Sequence, residues 1–247
     1  MIDLDAIRTG LDRREFFLEY LPTVALADRR CVGCEALIRW RRDGRVVPPL
    51  QFIPVIENTE LAGMVTDWVI EAIAHELGDW LRQHDDVHIS LNVPPAVLGQ
   101  GGVAAAIANS NLLDVIGQLV VEVAERTVAR DTNVIPFNAA ERRARIALDD
   151  TALTEASLIT LSQSRIDIVK IDKPFVDQLQ HEEPAPAKLA ALAKLRRDGK
   201  YILVAEGVES AAQAERLQQL GVHLAQGWYF SHPLSAEHFR NYFDANQ

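Results

Sequence analysis

The sequence predicts an α/β protein, a modified TIM-like (β/α)8 barrel in which one strand near the N-terminus runs antiparallel to the others. Three observations carry this expectation. Short apolar segments of strand length alternate with amphipathic segments of helix length along the 247 residues, the pattern of repeated βα units around a parallel sheet. Around eight such strands in this length favour a closed barrel over an open sheet. The first two are joined only by "ADRR", 27–30, which suits a hairpin because a parallel pair needs a longer crossover.

The strand segments, in order, are 15–26, 31–40, 87–93, 119–125, 145–150, 166–172, 201–208 and 224–230. Apolar residues at helical spacing predict a helix from Met64 to Leu81, with Trp68 and Trp80 packing against the barrel. "PAKLAALAKLRRDG" is apolar on one face and closes on basic residues and Gly199, as helices commonly end. "SAAQAERLQQLG" opens on Ser210, a candidate N-cap, and stops at Gly221. "RRARIA", 142–147, reads as a helix end meeting a strand, and "HEEPAPA", 181–187, as a surface loop. "GWYF", 227–230, reads as core at a strand end, the competing reading being an aromatic platform for a base. No internal repeat interrupts the pattern, so 1–247 is expected to be a single domain.

The net charge of −10 argues against a nucleic-acid polymer as partner, since such binders carry a basic surface. It leaves room for a small phosphate ligand, because a few cations can reverse the field at one site. Cys31 and Cys34 lack a second pair or histidines at ligand spacing. They are read as packing residues facing opposite sides of a strand. No apolar run approaches the roughly 20 residues of a membrane helix, and the N-terminal stretch has no apolar core of signal-peptide length. The expectation is a soluble cytoplasmic protein with no membrane partner.

Polar residues recur inside the apolar strand segments: Glu35, Asn92, Glu122, Asp149 with Asp150, Lys170 with Asp172, Glu206 with Glu209, and Gln226. Any one of them reads as a residue facing solvent. Seven segments with the same feature point to the C-terminal mouth of a barrel, where strand ends converge. Carboxylates gathered there would repel, and a cation removes the conflict. The ligand atoms on offer are oxygens, which select Mg²⁺ or Mn²⁺, with Ca²⁺ able to enter. Two adjacent Asp residues can serve two ions, an arrangement suited to displacement at phosphorus. Lys170 would meet a phosphate or an attacking water; the other reading is a salt bridge to a neighbouring acid.

With "EALIRW", "FIPVIE", "LNV", "VEVAE", "DD", "VKIDKPFV", "VAEGVE" and "QGWYFSHPL" in this order, the chain resembles the EAL-domain family from about Phe16 to Leu234. These are bacterial cyclic di-GMP phosphodiesterases with a modified (β/α)8 barrel. The resemblance implies metal ligands at Glu35, Asn92, Glu122, Asp149, Asp150 and Glu206, and catalytic roles for Glu35, Lys170, Glu206 and Glu209. It implies substrate contacts at Leu37, Arg39 and Gln226. It further implies two Mg²⁺ or Mn²⁺ ions, inhibition by Ca²⁺, cyclic di-GMP as substrate, linear pGpG as product, and a homodimer. Any regulatory protein partner is unknown.

The sequence departs from the family's usual run after the paired acids. Where that run has glycines, this chain has Ala152 and Thr154 in "DDTALTEAS", so the loop should take another path. Leu21 stands where a glutamine is usual, while Glu125, which resembles an acid anchoring the loop, is kept. Slow or conditional turnover is one expectation. A non-catalytic cyclic di-GMP receptor, or a protein-interaction module on the same fold, is the alternative.

Overall fold

The structure, a computed structural model, describes residues 2–94, 96–98, 102–128, 143–181 and 185–247. In chain order these form α1 (Leu4–Asp12), β1 (Phe16–Ala25), β2 (Cys31–Arg42), β3 (Arg45–Val47), α2 (Pro49–Ile56), α3 (Glu60–Leu81), β4 (His88–Asn92) and α4 (Gly102–Asn109). There follow β5 (Leu119–Ala124), α5 (Glu125–Val128), β6 (Arg145–Thr151), α6 (Glu155–Gln163), β7 (Ile168–Ile171), α7 (Lys173–His181), α8 (Pro186–Asp198), β8 (Ile202–Ala205), α9 (Ala211–Gln219), β9 (Leu224–Ala225) and α10 (Ala236–Ala245).

The strands pair in the order β1-β9-β8-β7-β6-β5-β4-β2, and β1 also pairs with β2, so eight strands close into a barrel. Strand β1 is antiparallel to both its neighbours, while pairs from β2 through β4 to β9 are parallel. The expected barrel with one reversed strand is therefore what the chain forms. An unexpected addition is β3, which folds back on the end of β2. Asp43 and Gly44 make that turn at φ 50 and φ 74. Two consecutive positive-φ residues match the twist of a hairpin, and Asp-Gly is the dipeptide that accepts them.

Local chemistry explains the helix limits. Thr59 caps α3, its hydroxyl accepting from the Leu61 N–H, so the helix begins before Met64. Ser210 and Gln213 form a capping box at α9. Gly199 ends α8 in the left-handed region at φ 62. The last strand is shorter than its apolar run because Gly227, at φ 151, turns the chain away against the Val208 backbone. The loop expected at 181–187 is narrower, since α7 reaches His181 and α8 starts at Pro186; 182–184 lie outside the described residues. Arg142 and the helix end expected before it also lie outside them.

Three apolar clusters hold the described residues together. The largest lies between the outer face of the barrel and the helices, and includes Ile70 and Leu77 of α3, Leu91, Val121, Leu148, Val169, Leu203 and Phe239. A second closes the start of β1 and the end of β2 beneath α1 and α2, where Phe16 stacks on Trp40 at 5.3 Å and Phe52 meets both edge-on. The third is inside the barrel: Val120, Ala147, Ile168 and Val204, with Ile202 and Leu224 against them. Trp80 packs on Phe239 and Phe243 of α10.

Two sequence expectations are corrected. Cys31 and Cys34 are free and buried, but both belong to the main cluster instead of facing opposite sides. A register shift opposite Thr23 and Val24 takes Val32 out of the pairing and breaks the alternation between them. In "GWYF", Trp228 and Tyr229 are 63% and 41% exposed, so they are not core; their run lies on a turn past β9, where period-two burial no longer applies.

Candidate active site

Strand alternation places the site. Residues two apart face one side of a sheet, so strands whose Val120, Ile168 and Val204 fill the barrel also send Glu122, Lys170 and Glu206 inward, one step nearer the C-terminal mouth. Glu35 arrives from β2, paired with Leu21 of β1 and Ser90 of β4. Asn92 pairs with Glu122 in the β4–β5 ladder.

These side chains meet around one ammonium group. Lys170 Nζ lies 3.0 Å from Glu35 Oε2, 2.8 Å from Glu122 Oε2, 3.0 Å from Asp149 Oδ1 and 2.7 Å from Glu206 Oε1. Two amides complete the ring. Asn92 Nδ2 donates to Glu35 Oε1 at 2.9 Å, and Gln226 Nε2 donates to Glu35 Oε2 at 2.6 Å and to Glu206 Oε1 at 3.1 Å. Thr23 Oγ1 donates to Gln226 Oε1 at 3.4 Å, which sets the amide's orientation.

The electrostatics follow from burial. Burial pushes the Glu122 carboxyl well up, and Glu35 adds to the rise against the pull of Lys170. Burial likewise carries Glu206 up to about 8, with Lys170 opposing and Asp149 and Glu35 adding. Burial also works against ionised Glu35, but Lys170, Gln226 and Asn92 outweigh it and hold this carboxyl below its usual value. Lys170 is desolvated too, yet Glu122, Glu206, Glu35 and Asp149 keep its proton on. One ammonium thus faces four carboxyls, more acid than a single positive charge can balance.

A register shift lies between Leu148 and Thr151 of β6. There, in the ladder with β7, three steps along one strand match two along the other. Asp149 keeps the inward parity of Ala147, and the extra residue sets Asp150 beside it at the start of the loop. Asp149 turns in to Lys170, while Asp150, at φ 54, is exposed at the start of the loop. Aspartate tolerates that conformation better than most residues. The loop does take a path without glycine. Positive φ falls on Asp150 and on Leu153, at φ 54, not on Ala152 or Thr154. Leu153 is buried in the main cluster, Thr154 caps α6 with Ser157, and the Ala152 N–H donates to Glu125 Oε2 at 3.1 Å.

A cavity of about 330 Å³ opens from Asn92 and Glu122 and is walled by Leu37, Arg39, Ile53 and Pro94. The expected substrate residues Leu37 and Arg39 therefore line it, whereas Gln226 belongs to the ring around Lys170. Glu209 stands apart: it is exposed and pairs with Lys173 at 3.0 Å. Sequence reading missed Thr23, although the inward parity of Leu21 and Thr23 on β1 was available to find it.

The donor set suits a hard divalent cation. Glu122 Oε1 and Asp149 Oδ1 are buried and lack a hydrogen-bond partner, the latter despite its 3.0 Å approach to Lys170, so lone pairs remain to be satisfied. Among the described residues, no three acidic, histidine or cysteine side chains already converge as a metal-ligand group; the carboxyls are turned onto Lys170. No described helix is long and apolar enough to cross a membrane.

A family model described as "EAL domain" matches residues 4–233. A probable cyclic di-GMP phosphodiesterase, PdeB of Escherichia coli, is 36% identical over 94% of this chain and 45% of its own length. The bifunctional diguanylate cyclase/cyclic di-GMP phosphodiesterase MucR of Pseudomonas aeruginosa is 31% identical over 95% of this chain and 35% of its own length. The chain thus spans less than half of either relative. The solved PaMucR phosphodiesterase in complex with c-di-GMP is 30% identical, with a TM-score of 0.84, over 96% of this chain and 98% of that one.

Proposed function

The chain belongs to the EAL domain family, and from that premise we propose that it hydrolyses one phosphodiester bond of cyclic di-GMP to give linear pGpG. The observation that carries this reading is the ring of four carboxyls and two amides around buried Lys170, beside a cavity of ligand size. Glu35, Asn92, Glu122, Asp149 and Glu206 would hold divalent cations, Asp150 reaching in from the bulge. Mg²⁺ or Mn²⁺ bound there supplies Lewis acidity at phosphorus and a water of lowered pKa. Ca²⁺, larger and less demanding of geometry, would occupy the site without supporting turnover.

The chain's own residues do the rest. Asn92 and Gln226 fix the two oxygens of Glu35, so that carboxylate cannot rotate freely. Lys170 offers its charge to a phosphate oxygen or to the attacking water. Surrounding apolar strands keep out bulk water, which strengthens each charge. Leu37 and Arg39 would seat the dinucleotide in the cavity. Glu209, whose partner is Lys173, would support the site from outside the ring. Cytoplasmic residence, a single domain and a homodimer belong to the same proposal, and sedimentation reads out the last.

One observation favours a second reading, a cyclic di-GMP receptor without turnover. Asp150 is exposed, in the left-handed region, on a loop built without glycine. Incubation with cyclic di-GMP in Mg²⁺, Mn²⁺ and Ca²⁺, beside a binding titration, separates the readings. Metal-dependent release of pGpG supports hydrolysis, and binding without release supports the receptor. No binding leaves an interaction module. Glu35→Ala should abolish turnover; unchanged turnover removes the hydrolytic reading.

A further inference from the structure

Arg39 lines the cavity beside the acidic ring, and its guanidinium is held from behind. Its Nε donates to Glu19 Oε2 at 2.7 Å, and its Nη1 donates to the Ile38 carbonyl at 3.1 Å. Glu19 lies on the inner face of β1 with Leu21 and Thr23, while Leu18 and Tyr20 face the apolar core. It pairs across the ladder with Leu37 and reaches diagonally to Arg39. Both side chains are partly withdrawn from water, Arg39 at 16% and Glu19 at 34% exposure.

A guanidinium has five N–H donors in a rigid plane. Glu19 and Ile38 engage two of them, which leaves donors on Nη1 and Nη2 for a ligand. A free arginine would lose rotamer freedom on meeting a phosphate. One already clamped through Nε has lost it on folding. The same carboxylate lowers the net charge at the cavity wall, which opposes anion binding, and the geometry decides between these effects. Glu19 meets the Nε side and leaves the terminal nitrogens open, so it orients the group without covering its phosphate-binding end.

We propose that Glu19 is a positioning residue: it clamps Arg39 so that the terminal N–H groups meet a phosphate oxygen of the cyclic dinucleotide. This rests on the cyclic di-GMP reading above. Steady-state kinetics with cyclic di-GMP in Mn²⁺ test it in the parent, Glu19→Ala, Glu19→Gln, Arg39→Ala and the double variants. Glu19→Ala should raise KM about tenfold, equivalent to about 1.4 kcal/mol, with kcat held within about twofold. Glu19→Gln keeps an acceptor oxygen and should recover most of the loss, leaving KM about two- to threefold above the parent. It carries the same sign of effect should the alanine variant fail to fold. In the Arg39→Ala background neither change at Glu19 should move KM. An unchanged or lowered KM in the Glu19 variants, or the same rise without Arg39, overturns the positioning role and leaves the functional reading standing. A parent that neither hydrolyses nor binds cyclic di-GMP overturns both.

Discussion

Two layers of side chains fill the barrel, and they come from the same strands. The lower layer is Val120, Ala147, Ile168 and Val204. Two residues further along each strand stand Glu122, Asp149, Lys170 and Glu206. Backbone geometry is shared, so the difference is chemical. Below, contacts are apolar and interchangeable within limits of volume. Above, each group depends on the charge of its neighbours, and removing one leaves others buried without a partner. The same positions of the pleat can therefore serve folding or chemistry, and only distance from the mouth separates the two.

Breaking the upper layer should cost most. Lys170→Met removes the common partner of four carboxyls and should lower stability by about 3–5 kcal/mol, with loss of turnover; urea denaturation beside an activity assay measures both. A variant as stable as the parent would mean that the acids hold no strain. Breaking the lower layer should separate the two properties. Ile168→Ala should destabilise by about 2–4 kcal/mol through its cavity, while the folded protein keeps its turnover per molecule. Turnover falling in proportion to stability lost would show the layers to be coupled. The smallest effect belongs to the loop that begins beside the upper layer. Glu125→Ala removes the acceptor for the Ala152 N–H and should cost about 1 kcal/mol, a fall of about 2–4 °C in Tm for a chain of this length. Its activity loss should exceed that figure's share if the loop holds Asp150 in place.

Much of this arrangement was legible in the sequence because its determinants are local. Period-two and period-3.6 apolarity located the strands and helices, and the short "ADRR" link marked the reversed strand. The polar residues inside apolar runs singled out the mouth. The Asp43-Gly44 hairpin was equally local and was overlooked, since the run around it is charged and not apolar. Other features depend on meetings between distant segments. That Lys170 touches four acids at once depends on the closure of the barrel. That Asp150 stands out beside an inward Asp149 depends on a ladder shift against β7. The exposure of Trp228 depends on where Gly227 turns the chain, and the hold of Glu19 on Arg39 depends on the β1–β2 register.

The central ammonium has one more consequence. Small domains that gather their ligands only around a captured ion remain unfolded until it arrives. Here a covalently attached positive group already sits among the acids, so the polypeptide carries its own placeholder. It should reach its final shape in a chelating buffer, and the proposed ions would enter afterwards. Folding would then be independent of divalent ions, while the proposed hydrolysis would depend on them.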